Sequence, residues 1–179
     1  MRKFLLLFVL LLPVNGVYAK GLDIFVNNST ASVEYLTSIG GADAGFGFLF
    51  NTKNDWVAHG AMLVFGREYQ GSNKVEGGLG GKAYVANIGG SSVLALGLGG
   101  QMTYFPRGSK FGFGGYAYYA PQILVSNANN FSEIGVRAEF QMMETASMYI
   151  GIHQSIVDFG AAGSRTVDDG LHFGVNIRF

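Results

Sequence analysis

The sequence predicts an all-β protein, an antiparallel transmembrane β-barrel with an even strand number of 8 to 10. Three observations carry that prediction. The N-terminus is built for export, the rest of the chain has no run long enough for a membrane helix, and apolar side chains alternate with glycine or polar ones in segments of about ten residues. Composition agrees: the 179 residues include 28 Gly, 15 Phe and 9 Tyr but 3 Pro, and 13% are charged. This is glycine and aromatic enrichment without the proline content of a disordered chain. The formal net charge is zero, so there is no basic footprint for nucleic acid.

Export comes first. Met1-Arg2-Lys3 precedes an unbroken apolar run over 4–12, then Pro13, Asn15 and Gly16, and then Val17-Tyr18-Ala19. A basic start, a short apolar stretch and a small-residue site make a secretory signal peptide over 1–19, with the barrel occupying 20–179. An inner-membrane anchor is the competing reading, but that run is less than half of the roughly 20 residues a spanning helix needs. The chain contains no cysteine, which removes a lipoprotein anchor and a disulfide framework.

Period-two alternation is clearest in the last segment, where Leu171, Phe173, Val175, Ile177 and Phe179 alternate with His172, Gly174, Asn176 and Arg178. It recurs in Phe111, Phe113, Ala117 and Tyr119, and in Ile134, Val136, Ala138 and Phe140. Boundaries at Gly, Asn, Asp and Ser clusters give strands near 32–38, 44–51, 56–67, 76–87, 92–105, 110–120, 132–142, 146–159 and 170–179. Because single-chain bacterial barrels carry even numbers of strands, 21–27 is expected as a tenth, with eight as the alternative. Residues 127–130 and 160–169 are expected as outer loops, and 143–145 and 106–109 as inner turns. This places Phe179 at the periplasmic rim. A secreted β-sandwich would also alternate. Glycine-rich inward faces opposite continuous apolar outward faces suit lipid better than water. The aromatics Trp56, Tyr104, Phe105, Tyr119 and Phe179 fall near strand ends, where interfacial girdles belong.

The final alternation from Leu171 to Phe179 resembles the C-terminal signature by which outer-membrane barrels are recognised for assembly. Short motifs also resemble the YfaZ family of small outer-membrane β-barrel proteins. They are Gly80-Gly81-Lys82-Ala83-Tyr84, the run Phe113-Gly114-Gly115-Tyr116-Ala117-Tyr118-Tyr119-Ala120-Pro121, Gly135-Val136-Arg137 and Gly174-Val175-Asn176. They span Trp56 to the end. The resemblance implies the cell outer membrane as location and brings no established activity. Outer-membrane lipid and the barrel-assembly machinery are then the expected partners, with the partner of the extracellular loops unknown.

On the face opposite the apolar one lie Glu34, Lys82, Arg137, Glu139 and Arg178, expected as lumen charges that pair across a narrow interior as a polar plug. A narrow ion or small-solute pathway is the alternative, supported by inward glycines. A hydrolase is a third reading. His153 and Ser155 share a strand face, and with Asp168 or Asp169 they resemble the serine, histidine and acid of the lipid A 3-O-deacylases. Two departures weigh against it: Ile156 stands where those enzymes carry an asparagine, and both acids fall in an expected loop. The outward residues Met148, Ile150, Ile152 and Ile156 also turn His153 and Ser155 towards the lumen. His59 and His172 lie far apart, and no His, Asp and Glu spacing suggests a metal site, so no metal or cofactor is expected. The cluster at 77–81 lacks the helix a phosphate loop needs and reads as close-packed strand.

Overall fold

A computed structural model describes residues 18–39, 41–70 and 73–179. Nearly all of the expected signal peptide lies outside them. Ten long antiparallel strands make the wall: β1 (Tyr18–Val26), β2 (Thr30–Ile39), β3 (Ala42–Asn51), β4 (Trp56–Gln70), β5 (Asn73–Ile88), β6 (Ser91–Phe105), β7 (Phe111–Ala120), β9 (Asn130–Met143), β10 (Ala146–Asp158) and β11 (Ser164–Arg178). A two-residue strand, β8 (Val125–Ser126), pairs with β6 in the connection after β7. Each long strand pairs with its neighbours in sequence, and β1 pairs with β11. The wall is therefore closed and has no free edge. The described residues contain no α-helix.

The expected tenth strand at 21–27 is real: it is β1, which joins the two ends of the sheet. One boundary needs correction. Residues 160–169 do not form a loop, because β11 begins at Ser164 and a single 3-10 turn at Gly160–Ala162 precedes it. The sequence there is polar, so it reads as a loop. Its backbone nevertheless pairs with β10 as far as Asp158↔Ser164 after a bulge next to Ser155. The barrel has two distinct ends. At the terminal end, β1 starts and β11 finishes. At the opposite, loop end, the longest connection runs from Pro121 to Asn129. The loop-end turn between β5 and β6 is Gly89-Gly90, with φ of 57° and 84°. Two consecutive positive φ values make the tight turn that matches strand twist, and glycine adopts them without strain.

Outward positions form an apolar belt. Ile24, Val33, Phe46, Met62, Leu79, Leu98, Phe113, Val136, Ile152 and Phe173 are all exposed. The corresponding stretches, such as Leu94, Leu96, Leu98, Gly100 and Met102 on β6 or Leu171, Phe173, Val175 and Ile177 on β11, place no Asp, Glu, Lys or Arg outward. Trp56 and Tyr119 are exposed at the loop end, and Tyr104 and Phe179 at the terminal end. Phe105 departs from the expected girdle. It is buried, its ring covers Gly112, and the Lys74 ammonium lies 5.4 Å from its centroid.

Candidate functional site: the lumen

Alternation that turns apolar residues outward turns the other set into the lumen, and two chemically different layers result. Near the loop end the inward residues are apolar. Val57, Tyr84, Ala86, Ile88, Val93, Ala95, Ala120, Phe131, Val157 and Val167 form one buried cluster, with Leu49, Val125, Ala128 and Phe159 packed against it. The Tyr84 and Phe131 rings meet at 4.4 Å between centroids. Leu49, Val57, Tyr84 and Phe131 of this layer also border the cavity below it.

Below it charged and polar inward residues gather beside Leu36, Ala44, Ala61 and Leu63, and a cavity of about 440 Å³ remains. Register aligns several of them in one row across neighbouring strands: Asn176 is opposite Asp23, and Asp23 is opposite Glu34. Glu34 pairs with Gly47, which in turn pairs with His59. Gly47 lacks the side chain that would occupy the space of the His59 ring, so His59 Nε2 comes 3.6 Å from Glu34. Arg137 lies between two carboxylates, 3.6 Å from Asp23 and 3.4 Å from Glu139, with its guanidinium 4.8 Å from the Tyr149 ring centroid. The Tyr149 hydroxyl donates to Asp23, Asn176 Nδ2 donates to the same carboxylate at 3.2 Å, and Ser147 donates to Glu139 at 2.6 Å. Lys82 Nζ is 3.1 Å from Glu133, which also accepts from the Tyr84 hydroxyl at 2.7 Å. Buried charges are tolerable when paired and hydrogen-bonded in this way.

Between the two layers sits a histidine cluster. His153 Nε2 meets Asp168 Oδ2, and His153 Nδ1 is 2.9 Å from His172 Nδ1. Asp168 Oδ1 accepts from Asn27 Nδ2 at 2.8 Å and from Thr30 Oγ1 at 2.7 Å, which ties β11 to the β1–β2 turn. The Phe25 ring packs against both imidazoles at 5.1 and 5.0 Å. Asp168 therefore belongs to a strand, contrary to the loop expected from sequence, and the bulge turns it inward.

The model of a family described as YfaZ precursor matches residues 1–179. The chain belongs to the YfaZ family. The match covers the whole chain, including the N-terminal strands that the short motifs did not reach. No curated protein matches it.

In this YfaZ-family lumen, Glu34, Lys82, Arg137, Glu139 and Arg178 all line the cavity, with Arg178 exposed at the terminal mouth. Sequence reasoning missed Asp23, His59 and Glu133. Glu133 has the same parity as Arg137 and Glu139 and could have been found by extending that face two residues. His59 has the parity of Val57, Ala61 and Leu63. Asp23 stayed hidden because its strand was the uncertain tenth. These charges pair across the lumen, and a cavity remains beside them.

Of the hydrolase candidates, the fold brings His153 and Asp168 into contact and sets Ser155 opposite Asp168 in register. Both nitrogens of His153 are engaged, by Asp168 and by His172. Among the described residues no hydrogen bond joins Ser155 to His153. A serine nucleophile needs a neighbouring imidazole nitrogen to take its proton, and this arrangement offers none. Asp169 faces outward, paired with Gln154.

Proposed function

We propose that this YfaZ-family chain is exported as a precursor and serves in the outer membrane as a small barrel with a structural or binding role and a lumen closed to conduction. The observation that carries the reading is the division of inward and outward faces. An outward belt without Asp, Glu, Lys or Arg suits hydrocarbon, and a closed wall leaves no unpaired backbone for lipid to meet. The apolar layer spanning the loop end argues against a pore. The longer loop-end connections are taken as extracellular and the terminal end as periplasmic, since periplasmic turns in such barrels are the shorter ones. Leu171, Phe173, Val175, Ile177 and Phe179 at the terminal end suit recognition by the barrel-assembly machinery.

Reconstitution in planar bilayers tests the closed lumen. The folded protein is expected to give no steady single-channel conductance, and reproducible unitary steps would favour the channel reading. Mass spectrometry of lipid A tests the hydrolase. Cells expressing wild-type, His153→Ala or Ser155→Ala protein are expected to yield the same acylation pattern. Loss of one acyl chain with the wild type alone would restore His153 and Ser155 as a catalytic pair.

A further inference from the structure

The middle of the lumen holds acceptors in excess of donors. Asp23, Glu34, Glu133 and Glu139 line the cavity there, against Lys82 and Arg137. Arg137 is shared by Asp23 and Glu139, and Lys82 is committed to Glu133. Glu34 faces His59, and among the described residues no lysine or arginine lies within ion-pair distance of it.

A second observation points the same way. Asn176, 6% exposed, donates Nδ2 to Asp23, which fixes the orientation of its amide, and its Oδ1 has no hydrogen-bond partner. A buried carbonyl oxygen without a partner calls for a donor. Asn176, Asp23 and Glu34 are register neighbours on the inward faces of β11, β1 and β2. Tyr116 also lines the cavity, and aromatic faces attract cations. Among the described residues no group of three or more His, Asp or Glu is arranged to hold a metal ion.

We propose that the cavity binds a small organic cation carrying at least one primary ammonium group, held against Glu34, Asp23 and Asn176. The cavity volume, about 440 Å³, lies within the range of small-molecule sites. An ammonium group supplies a positive charge and three N–H donors, enough to meet Glu34, Asp23 and Asn176 Oδ1 together, beside the imidazole of His59. The site rests on the lumen's own geometry and is independent of which membrane holds the barrel.

The test is isothermal titration of the folded barrel in detergent at low ionic strength with 1,4-diaminobutane, with the neutral analogue butane-1,4-diol and with Mg²⁺. The diamine is expected to bind saturably at one site, at least tenfold more tightly than the diol or Mg²⁺. Glu34→Gln is expected to weaken the diamine at least tenfold, and Asn176→Ala several-fold. Each variant is first checked for heat-modifiable migration, and the wild-type comparison decides even where a variant does not fold. The proposal is overturned if the diamine shows no saturable binding, if the diol or Mg²⁺ binds as tightly, or if folded Glu34→Gln keeps the wild-type affinity. A conducting lumen would overturn the closed-barrel reading and leave this titration decisive by itself.

Discussion

The loop-end and terminal halves of the lumen are built from the same strands in the same alternation, yet they solve the interior in opposite ways. On β5 the inward residues Tyr84, Ala86 and Ile88 join the apolar seal, while Lys82, one inward step away, joins the charged network. In the first half close packing excludes water and stability comes from burial. In the second half every charge needs a partner, and long polar side chains tethered to opposite walls leave space between them. The comparison teaches that one alternation can pack apolar side chains together in one part of a narrow barrel and leave a cavity among charged ones in another.

Phe131→Ala should produce the largest effect, because the ring is almost wholly buried against Tyr84 at the centre of the seal. Truncating a buried phenylalanine costs about 3 to 5 kcal/mol. Denaturant unfolding in lipid vesicles is expected to show that loss, with bilayer conductance appearing as the seal thins. A small loss without conductance would mean that the loop end is closed by something other than side-chain packing. Lys82→Met probes the charged half. It strips Glu133 of its cation, and an unpaired buried charge costs about 3 kcal/mol or more. The double variant Lys82→Met with Glu133→Gln is expected to recover most of the loss. If the single and double variants unfold alike, the pair contributes little and the contrast between the two halves weakens. Val136→Arg tests the outside against the inside. Val136 is exposed at the middle of β9, where an arginine facing hydrocarbon costs about 2 kcal/mol or more. An unchanged unfolding midpoint would remove lipid from that face.

Nine strands and the outward face were legible because alternation is strongest where outward side chains are large and their neighbours are glycine or polar, and the tenth followed from the even strand number of closed barrels. The segment from Leu171 to Phe179 shows this without ambiguity. Legibility failed where that contrast vanished. Residues 83–88, Ala-Tyr-Val-Ala-Asn-Ile, carry apolar side chains on both faces, so nothing in the pattern announces the seal. The start of β11 failed for the opposite reason. Ser164, Arg165, Thr166 and Asp168 look like a loop until Asp168 is seen bonded to His153, Asn27 and Thr30. Within the candidate site, Lys82, Arg137 and Glu139 were legible from parity alone, whereas their pairing with Glu133 and Asp23 was not.

The sequence by itself determined that the chain alternates, that one face of the alternation is apolar, and that Lys82, Arg137 and Glu139 lie on the other, because these are properties of consecutive residues in one strand. It could not determine which charges meet. Asp23 and Arg137 are far apart in sequence and on strands that are not neighbours, and only closing the barrel brings them to 3.6 Å. The same closure decided that both ring nitrogens of His153 meet partners, Asp168 and His172. Contacts across a lumen depend on shear, bulges and ring closure together, and those are set by the register of the whole wall, a quantity that no single segment contains.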